Sequence, residues 1–193
     1  GEAEILYCSD CGYAANIERA VCVTEAQQKT GNLQELSSVP TPGVRTIEDL
    51  AEFFKRPPSH MIKTLLYQGR EQVVAALVRG DHEVNEIKLA RAVGQIELEL
   101  ATDDTIERVT GAPRGFAGPT NLKGCTIVAD PSVMDMENAI SGGNALDVHF
   151  TGLNPGRDFK PDIVTDIRLA AVGEACTCGD GVLQGARGIE VGQ

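Results

Sequence analysis

The sequence predicts an α/β fold in which short helices wrap a mixed sheet, and three observations carry that prediction. First, Met61 to Tyr67 reads as a strand, with Met61, Lys63, Leu65 and Tyr67 on one face and Ile62, Thr64 and Leu66 on the other. Glu71 to Val78 follows across Gln68-Gly69-Arg70 as its hairpin partner. Both faces of the first strand are mostly apolar, so both should be covered. Second, Thr46-Ile47-Glu48-Asp49 has the form of a capping box, and Ile47, Leu50, Ala51 and Phe54 fall at helical spacing behind it. Third, Cys125 to Ala129 is a run that reads as a buried strand and ends on the carboxylate of Asp130 at a Pro131 turn.

In chain order, Ile5 to Cys11 reads as a short strand and turn, and Tyr13 to Ala20 as a short helix-prone piece. Residues 24 to 42 are polar, lack a period and carry Pro40 and Pro42, so they read as a linker. Pro57-Pro58 stops the capped helix before the hairpin. Gly80-Asp81-His82-Glu83 then leads into a helix through Val84, Ile87, Leu89 and Val93. Glu97 to Leu100 alternates like a half-exposed strand, and Asp103-Asp104 open a helix ending at Gly111. Gly111 to Asn121 holds three Gly and two Pro, a loop that lets backbone approach a ligand closely. A helix-like stretch runs through Val133, Met136 and Ile140. Leu146, Val148 and Phe150 then alternate with Asp147, His149 and Thr151, a strand whose polar face carries His149.

A length of 193 residues suits one domain, and 42% hydrophobic with 23% charged residues is globular composition. The apolar runs are too short to span a bilayer. Gly1 to Ile5 show no basic and apolar secretory pattern, so the cytoplasm is the expected location. A net charge of -11 argues against a free-standing domain that captures nucleic acid by electrostatics. If RNA is the substrate, something else must hold most of it. The six cysteines are then expected to be reduced thiols or metal ligands.

No G-x-S-x-G elbow, P-loop, H-E-x-x-H or dinucleotide fingerprint is present. What remains is Lys63, the Gly115 to Pro119 loop, Asp130 and His149, each at a strand position or strand end where side chains can converge. A lysine is rarely buried without a partner, so Lys63 either points into a cleft or lets its stem reach water near a strand end.

Taken together, these residues carry a resemblance. Thr46-Ile47-Glu48-Asp49-Leu50, Ile62-Lys63-Thr64-Leu65-Leu66 and the run from Ala76 through Gly80-Asp81-His82-Glu83 to Lys88 resemble the editing (insertion) domain of bacterial-type prolyl-tRNA synthetases. The likeness continues through Gly115 to Asn121, Val128-Ala129-Asp130, His149 to Asn154 and Asp166-Ile167-Arg168. Tyr13 to Glu18 and Arg187 to Gly192 look like the synthetase core on either side of that insertion.

The resemblance implies a mixed sheet or partial barrel of the YbaK-like kind, and residues 1–42 and 171–193 flanking an editing domain at 43–170. It implies hydrolysis of alanyl-tRNA made in error for proline, with the tRNA 3′ end as partner alongside the remaining domains of a homodimeric parent enzyme. Lys63, His149 and Asp130 are the implied catalytic group, and Gly115, Gly118, Pro119 and Thr64 the implied substrate contacts. Editing would need no cofactor, and ATP would serve only the parent synthetase. The competing readings are an aminoacyl-tRNA-binding module without turnover and a zinc-ribbon-like interaction module.

Cys8-x-x-Cys11 has zinc-knuckle spacing, and Cys176-x-Cys178 with Gly179 looks like a shortened second knuckle. One shared structural zinc would pin the two ends of an inserted domain together, but a single intervening residue strains ordinary tetrahedral chelation. Unliganded thiols are the alternative, and Cys22 and Cys125 are expected to be ordinary buried residues.

Overall fold

The hairpin at the middle of the chain is the spine of the computed structural model, which describes residues 2–24 and 26–189. In order, the chain forms β1 (Glu2–Tyr7), β2 (Ala14–Asn16), β3 (Ser37–Pro40), α1 (Ile47–Phe54), β4 (Ile62–Gln68), β5 (Val73–Arg79) and α2 (Glu86–Ala92). It continues with β6 (Glu99–Leu100), α3 (Asp103–Thr110), β7 (Thr126–Ala129), α4 (Pro131–Met134), β8 (Ala139–Gly142), β9 (Val148–Leu153), β10 (Ile163–Val164) and β11 (Gln184–Ile189).

The central sheet is mixed and five-stranded, in the order β10-β7-β5-β4-β6. β4 and β5 pair antiparallel from Ile62↔Arg79 to Gln68↔Val73, and β5 pairs parallel with β7. Both faces are covered, as the apolar pattern requires. On one face Leu65, Tyr67, Val74, Ala76, Val78 and Val128 pack against Leu89 and Ala90 of α2. On the other, Ile62, Leu77 and Ala129 meet Val133, Met136 and Leu153, while Leu66 and Ala75 meet Ile106 and Val109 of α3. Each large aliphatic side chain buried this way contributes roughly 1.5–3 kcal/mol relative to exposure.

Two smaller antiparallel sheets complete the fold, β3-β9-β8 and β11-β1-β2. The first is joined to the start of β4 by a parallel bridge between Met61 and Ile140. The second brings the two ends of the described chain together, with Ile5↔Ala186 and Leu6↔Gly185 in register.

The helices predicted at 47–54 and after Asp103 form as read. Thr46 Oγ1 accepts from the Asp49 amide at 3.1 Å and Asp49 Oδ2 accepts from the Thr46 amide at 3.3 Å, so the capping box is complete.

Three local readings are corrected. The helix-prone piece at 13–20 is instead β2 and a turn, because a stretch this short is marginal as a helix and gains a ladder against β1. The linker at 24–42 ends in β3, an edge strand where Pro40 is tolerated because its missing N–H faces no partner. The helix through Ile140 stops at Met134. Asn138, at φ 52, turns the chain into β8, where Ile140 is fully buried. Of the flanking motif read at the C-terminus, Glu190, Val191 and Gly192 lie outside the described residues.

Candidate functional site

β4 carries the two adjacent residues singled out by sequence, and alternation sends them to opposite faces of the central sheet. Lys63 lies with Leu65 and Tyr67 on the α2 face. Its side chain is 17% exposed, and its Nζ donates to Glu83 Oε1 at 3.0 Å, a carboxylate that is itself 75% exposed. Such a pair near water is worth under about 1 kcal/mol, so the ammonium is available to another anion. Thr64 lies on the other face, with its Oγ1 buried and lacking a hydrogen-bond partner.

Among the described residues β6 pairs with β4 only at Tyr67 and Gln68, and the bridge to β8 is at Met61. Residues 62–65 of β4 therefore enter no strand pairing on that side, where the start of β4 lies close to β8. Lys63 and Thr64 flank that stretch of β4 from its two faces.

The Gly115 to Pro119 loop sits on the Thr64 side, where Ala117 packs against the cluster of Leu66, Ala75, Ile106 and Val109. A Cβ on Gly118 would overlap the Gly142 carbonyl oxygen, and a Cβ on Gly142 would overlap the Phe116 and Ala117 carbonyls. Loop and strand β8 therefore touch backbone to backbone. Asn144 fastens them. Its Oδ1 accepts from the Gly118 amide at 2.7 Å, its Nδ2 donates to Thr120 O at 2.6 Å and Gly118 O at 3.2 Å, and its own amide donates to Phe116 O at 2.9 Å. Asn144 adopts φ 56, which asparagine tolerates better than most residues.

Alternation puts His149 on the polar face of its strand, yet His149 points inward and is 1% exposed. The alternation holds, but the three-stranded sheet lays this face on the core, where Leu153 packs against Ile62 and Leu77. The His149 ring lies 5.6 Å from that of Phe116, and its Nδ1 is 2.6 Å from Thr41 Oγ1. Burial pulls its pKa down to about 4, so the imidazole is neutral at pH 7. Phe116 is fully buried beneath the Arg45 guanidinium, whose carbon lies 5.3 Å above the ring centroid.

Asp130 continues β7 onto the Lys63 face. Register places Val78 between them, so two strand spacings, about 10 Å, separate their backbones. Asp130 is 1% exposed, and Oδ1 accepts from the Ser132 amide at 3.1 Å and hydroxyl at 2.7 Å, capping α4. Oδ2 accepts from the Ile167 amide at 3.2 Å. Beside it Arg168, 4% exposed, pairs with Glu174 at 2.5 Å, and its Nε lacks a hydrogen-bond partner. Arg168, Arg79, His82 and Ser132 line a cavity of about 240 Å³ on this face.

The structure thus assembles two groups. Lys63 and Asp130 share the α2 face, whereas Thr64, Gly115, Gly118, Pro119 and His149 belong to the opposite side. Sequence reading missed Thr41 and Asn144, and assigned no role to Arg168. A buried threonine between two prolines and an asparagine in a Gly-Gly-Asn turn leave no local sign of what they hold.

The four cysteines of the two knuckles come together, with sulfurs all within 4.8 Å of one another. Cys22 and Cys125 are only partly buried, short of the buried state expected of them. Cys22 donates to Arg168 O at 3.4 Å, and burial pushes its thiol pKa up to about 12.

Comparison with known proteins bears on this arrangement. Residues 41–159 match the family model described as aminoacyl-tRNA editing domain. The whole chain is 51% identical to part of a proline–tRNA ligase of Desulforamulus reducens and 47% identical to part of one from Pelotomaculum thermopropionicum. In each case it covers 34% of the relative, so the chain spans about a third of the length of these curated proteins. A solved structure described as a candidate trans-editing enzyme for prolyl tRNA synthetase superposes with a TM-score of 0.60. At 20% identity over 70% of this chain and 87% of that one, it shares the fold.

Proposed function

The chain belongs to the aminoacyl-tRNA editing domain family, and from that premise we propose that it hydrolyses alanyl-tRNA made in error for proline, as a segment of a longer prolyl-tRNA synthetase. The observation that carries this reading is the similarity of the chain, end to end, to a third of proline–tRNA ligases. The chemical need is clear. A pocket sized for proline rejects the smaller alanine by only a few kcal/mol, and a second site that admits the smaller product is the remedy.

In the reaction, water adds to the ester carbonyl and the bond from that carbon to the ribose oxygen breaks. Alanine leaves as the carboxylic acid and the ribose hydroxyl regains a proton. Lys63, tethered only by an exposed carboxylate, takes the 3′-terminal phosphate or adenosine and steadies negative charge developing at the ester. Thr64 offers its unpaired hydroxyl to the aminoacyl group on the side of the sheet where the loop of Gly115, Gly118 and Pro119 lies. His149, neutral and set against Phe116, backs that loop from the core side. Asp130, whose oxygens are occupied by α4 and Ile167, is a positioning residue for the far side of the site. With no nucleophile and base side by side among these residues, the 2′-hydroxyl of the terminal ribose serves as the group that orients the water.

Residues 43–170 form the editing domain in this reading, while 1–42 and 171–193 lead from and back to the synthetase core. The remaining domains of a homodimeric cytoplasmic enzyme deliver the tRNA, as the acidic charge of this segment requires. Hydrolysis itself calls for no cofactor, and ATP belongs to the ligase reaction. The test is release of alanine from alanyl-tRNA for proline by the complete enzyme, with prolyl-tRNA as the control. Retention of the alanyl ester with tight tRNA binding would instead mark a binding module.

A further inference from the structure

Two pairs of cysteines separated by more than 160 residues meet at one point beneath the terminal sheet. Cys8 Sγ lies 3.9 Å from Cys178 Sγ, and Cys11 Sγ lies 3.7 Å from Cys176 Sγ. Four thiolates around a zinc ion at about 2.3 Å stand about 3.8 Å apart along the edges of the tetrahedron. A disulfide needs about 2.05 Å. Both cross-segment distances match the first geometry.

The backbone around the sulfurs is shaped for them. The Gly12 amide donates to Cys8 O at 3.0 Å and the Gly179 amide to Cys176 O at 3.0 Å, so each pair is folded into a tight turn. Gly12 and Gly179, which follow the second cysteine of each pair, sit at φ 75 and φ 87, where other residues are strained. The Tyr13 amide donates to Cys11 Sγ at 3.4 Å, as amides do toward a thiolate. A Cβ on Gly181 would overlap Cys8 Sγ, so that position is kept bare to make room for the sulfur. Simple burial of apolar thiols accounts for Cys8 and Cys176, which pack with Leu6, Ala20 and Leu183. It gives no reason for the exposed Cys11 and Cys178 to converge on them.

We propose that Cys8, Cys11, Cys176 and Cys178 bind one zinc ion in a closed tetrahedral thiolate site that clasps the start of the chain to the segment entering β11. All four positions are filled by protein, so the ion has no open site for a catalytic water and its role is structural. The shortened Cys176-x-Cys178 spacing does not keep either sulfur out of the cluster, since both lie within 4.8 Å of each other and of the other two. The clasp holds the strands β1, β2 and β11 where the polypeptide enters and leaves the editing fold. It stands independently of the ester chemistry proposed above.

The test is the metal and thiol content of the 193-residue chain, expressed without a metal-binding tag and purified under reducing conditions without chelator. The expected result is one zinc per chain, with four thiols that resist a chromogenic disulfide reagent until the metal is extracted. Cobalt substitution should give the charge-transfer and d–d bands of a tetrahedral S4 site. Cys11→Ser and Cys178→Ser, at the two exposed ligands, should each lower bound zinc at least tenfold. Absence of metal from the wild-type chain, stoichiometric iron, or a mass deficit of two hydrogens per cysteine pair would overturn the proposal, as would full zinc retention in both variants.

Discussion

The Thr41 hydroxyl lies 2.6 Å from Nδ1 of His149, and both residues are buried. A threonine on the chain leading from β3 thereby fixes the ring of a histidine on β9, 108 residues later. Thr41→Val keeps the shape of the side chain and strands the imidazole nitrogen. The expected cost is about 1–3 kcal/mol in urea denaturation, the usual penalty for a buried polar atom left unpaired.

The same histidine makes stability depend on pH. Its folded pKa is about 4 against an ordinary value of 6.5. Between those values the unfolded chain binds the extra proton, so stability is full above about pH 6.5 and falls as pH drops toward 4. His60 and His82 are also held below their usual range by burial and add to the slope. Urea midpoints measured from pH 7 to pH 4 should decline through this window, and His149→Gln should flatten the decline. An unchanged slope in the variant would show that His149 is not buried as described.

What could be read from the sequence was whatever depends on neighbours along the chain. The capping box at Thr46 and Asp49 and the two-faced apolar pattern of β4 are local, and both form as read. β2, β3 and β8 are three or four residues long and exist because a partner strand is present, so no local period announced them. His149 shows the limit within a correctly read strand. Alternation identified its face, but which face is buried depends on how one sheet lies upon another. For the cysteines, spacing identified the pairs, and only the antiparallel register of β1 with β11 brings them to one point.

Gly118→Ala tests the contact between the loop and β8. A methyl group there meets the Gly142 carbonyl, part of a backbone that is itself packed against Phe116 and Ala117, so it cannot simply move aside. The expected loss is about 1–3 kcal/mol of stability, the range for overpacking. Thermal unfolding should show it alongside a fall in deacylation.

Asn144→Ala removes the clamp on the same loop. Three side-chain hydrogen bonds disappear and alanine is left at φ 56, so about 1–3 kcal/mol should be lost. Deacylation should fall at a temperature where the variant remains folded, while charging with proline in the complete enzyme is kept. Unaltered deacylation would remove the loop from the site.

Glu174→Ala takes from the buried guanidinium of Arg168 its hydrogen-bonded carboxylate and leaves Asp130 Oδ1, 4.0 Å from Nε, as the remaining acidic neighbour. Glu174 is itself 24% exposed and Asp130 stays beside the guanidinium, so the expected cost is about 1–3 kcal/mol. Arg168 also donates to Val23 O at 3.2 Å, so amide exchange should rise around residues 20–24 before the central sheet opens.

The editing role is tested most plainly by deacylation of alanyl-tRNA for proline by the complete synthetase carrying this segment, beside its Lys63→Ala variant. The wild-type enzyme is expected to release alanine and spare the prolyl ester. The variant should lose at least a hundredfold in alanine release while still charging tRNA with proline. An intact enzyme that leaves the alanyl ester untouched, or a Lys63→Ala variant that hydrolyses it at the wild-type rate, would contradict that role.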